Sequence, residues 1–322
     1  MYEYGFELAL CARLEAETDA VVSRQLGAGV VDPGGRVIDT LLVEPGPEFD
    51  ERVAITPERI PDAAIESDVG PGRARYWRDA FDCHPDRARS AVERAIDVGF
   101  FERERRSGRT YVRQTVRYPN WYRRLIGIEN KPDLERPGDL ESQLRTDVSL
   151  GVLDEIILAT ASHVTRAHLH RLPDPVGVWR IDPETGQREV IREPTPLNSG
   201  GFGVELGEQH PGRTEIAVVE PAQKARRRRR MAERAYEKGW RTFEFPDCDE
   251  CTAGTVADAS VPYCTWKERI IDPANCGPDC PGYDPAEPLD VDLAAERAER
   301  SPWDPDPTGR TRRQTGLYRF GR

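Results

Sequence analysis

Apolar and polar positions alternate along this chain with two periods, and the alternation lays out its elements. Residues 4–14, Tyr-Gly-Phe-Glu-Leu-Ala-Leu-Cys-Ala-Arg-Leu, predict a helix over about positions 3–17, with Glu7 near its start. The turn Asp32-Pro-Gly-Gly35 leads into a strand over 35–43, where Val37, Ile38, Leu41 and Leu42 surround Asp39. Residues 124–134 read as a short buried strand that ends in two opposite charges. Alternate residues of a strand share a face, so Leu125, Gly127, Glu129 and Lys131 point one way and Ile126 and Ile128 the other. A helix over 139–153 and an apolar strand over 154–160 follow. Next come a hairpin of 176–182 with 188–192, a polar hairpin through 215–219, and a helix over 224–238.

Between the Asp39 strand and the Glu129 strand the pattern changes. Pro45-Gly-Pro47 opens a polar stretch, 74–81 is amphipathic, 86–98 is a clear helix, and 100–113 reads as a hairpin turning at Ser107-Gly108. Helix, helix and basic hairpin resemble a winged helix. Its tip carries Arg103, Arg105, Arg106 and Arg109, residues suited to phosphate contact.

The end of the 124–134 strand carries the chemistry. A carboxylate and an ammonium there call for a reason, and the ammonium is a choice, because Lys131 is one of only four lysines (with Lys224, Lys238 and Lys267) in an arginine-using chain. Helix with Glu7, strand with Asp39, strand with Glu129-x-Lys131, helix, strand: this order resembles the PD-(D/E)XK nuclease superfamily. The resemblance covers roughly 1–44 and 121–245, and the long insertion between Asp39 and Glu129 departs from it. It implies an α/β, restriction-endonuclease-like mixed sheet flanked by helices. Asp39 and Glu129 would bind Mg²⁺ or Mn²⁺, Lys131 would assist the attacking water, and Glu7 would sit nearby. Gln143 stands on the following helix where many members have a Gln; Asp147 stands where a Tyr is usual. His163, His168 and His170 read as helix-surface residues, since no carboxylate or Cys partner accompanies them.

Seven cysteines occur, and five bunch as Cys248-x2-Cys251-x12-Cys264-x11-Cys276-x3-Cys280. That spacing suits a metal, either Zn²⁺ or a four-iron–four-sulfur cluster, better than a disulfide framework. Cys11 reads as a small core residue. The helix over 224–238 holds Arg226, Arg227, Arg228, Arg229 and Arg230 in succession, and this run is a candidate phosphate contact. The tail from Pro285 is acidic and Pro-rich and reads as loose. Its end, Gln314-x-x-Leu317-x-x-Phe320, resembles a sliding-clamp-binding peptide.

Composition adjusts this picture. Net charge is −11, with 57 acidic against 46 basic residues, and mean hydropathy is −0.66. Acidic and lysine-poor, the chain resembles proteins of halophilic archaea. At molar salt the Debye length is about 3 Å, so the net charge does not exclude a nucleic-acid partner. No run of about 18 apolar residues exists, nor a basic n-region with an apolar h-region, so a cytoplasmic location is expected. The organisation expected is a nuclease-like core (1–44 and 121–245), a winged-helix-like insertion (45–120), a Cys-rich metal-binding module (246–284) and a flexible tail (285–322). The function expected is metal-dependent DNA cleavage in repair or processing; the alternative is a non-catalytic DNA-binding protein that keeps the fold.

Overall fold

The computed structural model describes residues 2–32, 35–183 and 185–307. The chain divides into two compact units, one built from Met1–Gly46 with Tyr122–Trp303 and the other on Pro47–Trp121. It begins with helix α1 (Glu3–Glu17) and strands β1 (Val21–Gly27) and β2 (Val37–Pro45). The second unit follows, with α2 (Phe49–Val53), α3 (Asp62–Ile65), β3 (Arg75–Tyr76), α4 (Pro85–Asp97), β4 (Phe101–Arg106) and β5 (Arg109–Gln114). The first unit resumes with β6 (Tyr122–Asn130), α5 (Leu140–Leu150), β7 (Glu155–Thr160), α6 (Arg166–Arg171), β8 (Gly177–Ile181) and β9 (Arg188–Arg192). It ends with β10 (Gly203–His210), β11 (Arg213–Val219), α7 (Pro221–Lys238), β12 (Cys251–Val256), β13 (Ala259–Cys264), β14 (Arg269–Ile270) and α8 (Leu293–Arg300).

The first unit is a mixed α/β body around a six-stranded sheet of order β1-β2-β6-β7-β8-β9. β2 runs antiparallel to both of its neighbours, β1 and β6, whereas β7 runs parallel to β6 and β8 parallel to β7. A parallel pair needs a crossover, and α5 supplies the one between β6 and β7. Its C-terminus is set by Gly151, whose φ of 56° is left-handed. Ile126 and Ile128 of β6 join Val22, Leu42, Ile157 and Ala159 in a core with Phe6, Leu10 and Leu14 of α1. The same core takes in Trp240, Phe243 and the buried cysteines Cys248, Cys251 and Cys264, so the Cys-rich segment packs on the sheet's α1 side. It forms a three-stranded sheet, β12-β13-β14.

In the second unit α4 buries Ala88, Ala91, Val92 and Ala95. Val92 and Ala95 share a core with Phe100, Phe101 and Val112 of the adjoining hairpin. The hairpin turns through Ser107 and Gly108, with φ of 47° and 77°, the left-handed pair that a tight two-residue turn requires. β3 pairs with β5, giving the sheet order β3-β5-β4.

Two sequence expectations change. The tail after Pro285 is not uniformly loose: Asp292 caps α8 through the Ala295 amide at 2.9 Å. On that helix Arg297 donates to the carbonyls of Glu237 and Tyr236 at the end of α7, at 2.8 and 2.5 Å. A cation at a helix C-terminus meets both free carbonyls and the negative dipole end, a match that acidic composition conceals. The arginine run is also not an open basic surface. Arg227 is buried, Arg228 pairs with Asp154 at 2.7 Å and donates to the Val152 carbonyl at 2.6 Å, and Arg229 and Arg230 are partly covered while Arg226 is exposed. Because α7 packs against β1, β2 and β6, most of its circumference is spoken for. Gln314, Leu317 and Phe320 lie outside the described residues. Among the described residues no helix is long and apolar enough to cross a membrane.

Candidate active site

The sheet brings Asp39 and Glu129 together. β2 and β6 pair with Thr40 opposite Ile128 and Leu41 opposite Gly127. One step further along this register, the Asn130 amide donates to Asp39 Oδ2 at 2.9 Å. Gly127 admits the Leu153 side chain beside this end of the strand, because a Cβ there would lie 2.4 Å from Leu153 Cδ1. Glu129 is 3% exposed. Burial, then the neighbouring Asp39 carboxylate, pushes its carboxyl well above the ordinary glutamate range. Asp39 is pushed up by burial too, offset by the Asn130 amide and by the charges of Arg36 and Lys131.

Lys131 follows β6 directly. Its amide donates to the Ala159 carbonyl at 2.9 Å, and its ammonium, 24% exposed, stands 3.8 Å from Glu3. Glu7 lies on α1, buried, and accepts from Arg24 Nε at 2.6 Å and from Gln25 Nε2 at 3.2 and 3.1 Å. The same Gln25 amide reaches Asp39 Oδ1 at 3.5 Å. Gln25 therefore ties Glu7 to Asp39, and it does so from a φ of 53°, a conformation that costs a non-glycine residue about 1–3 kcal/mol. Burial raises the Glu7 carboxyl, and Arg24 draws it back.

Two members of the cluster were not assigned from sequence. Arg36, just before β2, donates to Asp147 from Nε at 2.9 Å and from Nη2 at 2.7 Å. The same Nη2 lies 2.5 Å from Glu129 Oε1, a charge contact whose angles are not those of a hydrogen bond, so that oxygen has no aligned donor. Asp147 is buried on α5, its carboxyl raised by burial and pulled back by Arg36. Two buried carboxylates thus share one guanidinium, whose charge also reaches Asp39. Gln143, one turn earlier on α5, makes no side-chain hydrogen bond among those described, and Asp147 is the α5 residue that enters the site. Asp147 was visible as a departure from the resemblance, and Arg36 only as a cation beside Gly35. A cavity of about 210 Å³ adjoins Arg36, lined also by Gly29, Asp32, Thr146 and Glu205. Glu205 holds the loop there by accepting from the amides of Val30 and Val31 at 2.9 and 2.6 Å.

The cysteines lie elsewhere in this unit. Cys251 and Cys264 face each other across β12 and β13. Cys276 lies against Cys248, and the fields of Cys248, Cys264 and Cys276 add to burial in pushing the Cys251 thiol up to about 11. The Lys267 amide points at Cys264 Sγ at 3.4 Å. All seven cysteines are free thiols. Among the described residues no three His, Cys, Asp or Glu side chains converge on a single metal-sized point. His168 serves α6 itself, accepting from the Thr165 amide at 3.3 Å, while His163 and His170 are exposed.

In the second unit the hairpin arginines are deployed differently. Arg106 pairs with Glu104 at 2.5 Å, while Arg103, Arg105 and Arg109 are exposed.

Comparison with known families places the chain. The model of a family of unknown function, DUF5787, matches residues 21–285, and the chain belongs to that family. No curated protein and no solved structure matches it.

Proposed function

We propose that this member of the DUF5787 family is a metal-dependent nuclease that hydrolyses phosphodiester bonds in DNA, on a restriction-endonuclease-like core, in repair or processing. The observation that carries the reading is the meeting of Asp39 and Glu129 at the end of neighbouring antiparallel strands, with Lys131 two residues beyond. The element order α1-β1-β2-β6-α5-β7, three antiparallel strands and then a parallel one, supports it. The winged-helix reading of the second unit draws support from the order β3-β5-β4 beside α4.

The donor set suits a hard divalent cation. Glu129 Oε1 is buried without an aligned donor, and the carboxylates of Asp39, Glu129 and Asp147 outnumber the one guanidinium among them. Asp39 and Glu129 would hold Mg²⁺ or Mn²⁺, ions that accept one or two carboxylates and keep several waters. Bound there, the ion would polarise a phosphoryl oxygen and acidify a water. The protein's own contributions follow from its geometry. Glu129, whose carboxyl burial and Asp39 push up, would have to ionise to serve as a ligand. Gln25 and the Asn130 amide fix the two oxygens of Asp39. Lys131, a compact and partly exposed ammonium, orients a water or offsets charge developing on phosphate. At the Cys segment, thiol donors suit Zn²⁺ or a 4Fe–4S cluster, in a structural role.

The test is degradation of labelled single- and double-stranded DNA with Mg²⁺ or Mn²⁺ in high salt, wild type beside Lys131→Ala and Asp39→Asn. Cleavage lost in both variants and in chelator supports the reading; cleavage surviving either substitution sinks it. One observation favours the second reading, a non-catalytic DNA-binding protein. Arg36 already takes a charge contact with Glu129, which is where an ion would sit. DNA binding with no cleavage under any metal would select that reading.

A further inference from the structure

The second unit divides its arginines sharply. Arg59 pairs with Asp62, Arg75 with Asp68, Arg94 with Glu58, Arg106 with Glu104, Arg113 with Glu102 and Arg117 with Glu48. In so acidic a chain, pairing is the default. Arg73, Arg78, Arg87, Arg89, Arg103, Arg105 and Arg109 depart from it: all are exposed without a carboxylate partner among the described residues, and four of them, Arg78, Arg89, Arg103 and Arg109, line one groove of about 340 Å³ between α4 and the β4–β5 hairpin. Glu93 is the one carboxylate in that lining.

Aromatic faces complete the groove. Tyr76 and Trp77 line it and are only partly covered. The guanidinium of Arg78 lies 5.4 Å from the Trp77 ring centroid and that of Arg89 6.0 Å, and Arg109 lies 5.6 Å from Tyr76. Tyr76 in turn packs on Tyr111 with centroids 5.7 Å apart. Guanidiniums without carboxylate partners, beside partly exposed aromatic rings, are the two components of a single-strand platform.

We propose that this groove binds a single-stranded nucleic-acid segment, its phosphates on Arg78, Arg89, Arg103 and Arg109 and an unstacked base against Trp77 or Tyr76. Duplex is disfavoured on two grounds. The exposed side of α4 carries Asp86, Glu93 and Asp97 among its arginines, which opposes laying that helix along a phosphate-lined groove. An aromatic ring is useful only to a base already out of its stack. The inference rests on the nucleic-acid reading above for the kind of ligand, but not on cleavage.

The experiment is fluorescence anisotropy of the full chain with a labelled 20-mer oligothymidylate, its duplex with oligoadenylate and the matching RNA strand, in chelator so that binding is read without cleavage. Wild type should bind the single strand at least about tenfold more tightly than the duplex. The triple variant Arg78→Ala/Arg103→Ala/Arg109→Ala should lose about tenfold or more and flatten the salt dependence, because exposed phosphate contacts carry that slope. Trp77→Phe should keep binding and Trp77→Ala should weaken it; since Trp77 is partly covered, its circular dichroism is compared alongside. Arg145→Ala, an exposed arginine paired with Glu141, should change nothing. Equal or tighter duplex binding, single-strand binding untouched by the triple variant, or no binding by wild type would each overturn the proposal. Single-strand binding that persists in a protein unable to cleave would overturn only the nuclease chemistry, and RNA against DNA affinity distinguishes the strand's source.

Discussion

Replacing Arg36 with methionine tests the candidate site at its centre. Arg36 is 7% exposed, and Glu129 and Asp147 are each 3% exposed. The substitution keeps an unbranched apolar stem and removes the guanidinium that contacts both carboxylates. Stranding a buried charge by deleting its partner costs about 3–5 kcal/mol. For a unit of this size each kcal/mol lowers Tm by about 2–4 °C, so Arg36→Met should melt roughly 6–20 °C below wild type at neutral pH. The loss should depend on pH. Burial raises both carboxyls, with Asp39 adding to Glu129, and Arg36 pulls both down. An acid whose pKa is raised in the native state holds its proton more tightly folded than unfolded. Ionising it therefore costs stability, and stability falls as pH rises from the ordinary carboxyl range through the raised value. Deleting Arg36 enlarges that raise, so wild type and variant should lie close together near pH 4 and diverge toward neutrality. Thermal and urea melts from pH 4 to 8 in chelator measure the gap. A difference under about 1 kcal/mol at pH 7, or one that does not change with pH, would refute the account of the cluster.

Three further outcomes follow from the same structure. Glu129→Gln removes a carboxylate that burial and Asp39 hold against ionisation, while Arg36 keeps its two bonds to Asp147. It should gain about 0.5–2 kcal/mol at neutral pH and lose cleavage, read by urea melts beside the nuclease assay. Gly127→Val places a Cβ 2.4 Å from Leu153 Cδ1 and 3.4 Å from Ile38 Cγ2; overpacking should cost about 1–3 kcal/mol, and a neutral effect in melts would show that the strand end is looser than described. Elemental analysis of the purified protein should find zinc or iron, reduced in Cys251→Ser, and loading should weaken at low pH because the ligand must shed a proton held up to about 11. A metal-free protein with unchanged stability would remove the metal from the Cys segment.

The sequence made legible those parts of the site where local pattern and position coincide. Asp39 and Glu129 were readable because each interrupts an apolar strand, and the β2–β6 pairing then sets them together. β1 was not readable: Val21-Val-Ser-Arg-Gln-Leu26 carries Arg24 and Gln25 in mid-strand, and what makes them tolerable is Glu7, seventeen positions away on α1. Arg36 failed for the same reason, since its partners lie on β6 and α5. The arginine run of α7 misled in the opposite direction. Charge in sequence suggested an open phosphate-binding face, whereas Asp154 and the Val152 carbonyl had already engaged Arg228. In each case a long-range ion pair decided what local composition left open.

The departures from local consistency also indicate where function resides. Across most of the sheet, apolar positions face the core. At the adjoining ends of β1, β2 and β6 the pattern breaks, with Gln25 at a left-handed φ, buried Glu7 and Glu129, and Asp147 reaching in from α5. Replacing a buried ion pair by apolar residues of similar volume is often neutral or stabilising, so stability alone does not account for two buried carboxylates on one arginine with Asp39 beside them. A fold that violates its own rules in one place generally does so for its site. The second unit shows the complementary departure: arginines left without carboxylates around aromatic rings, in an acidic chain. The first arrangement lacks positive charge and suits a cation; the second lacks negative charge and suits a phosphate. The metal-dependent action on a polyanion that we propose would need both.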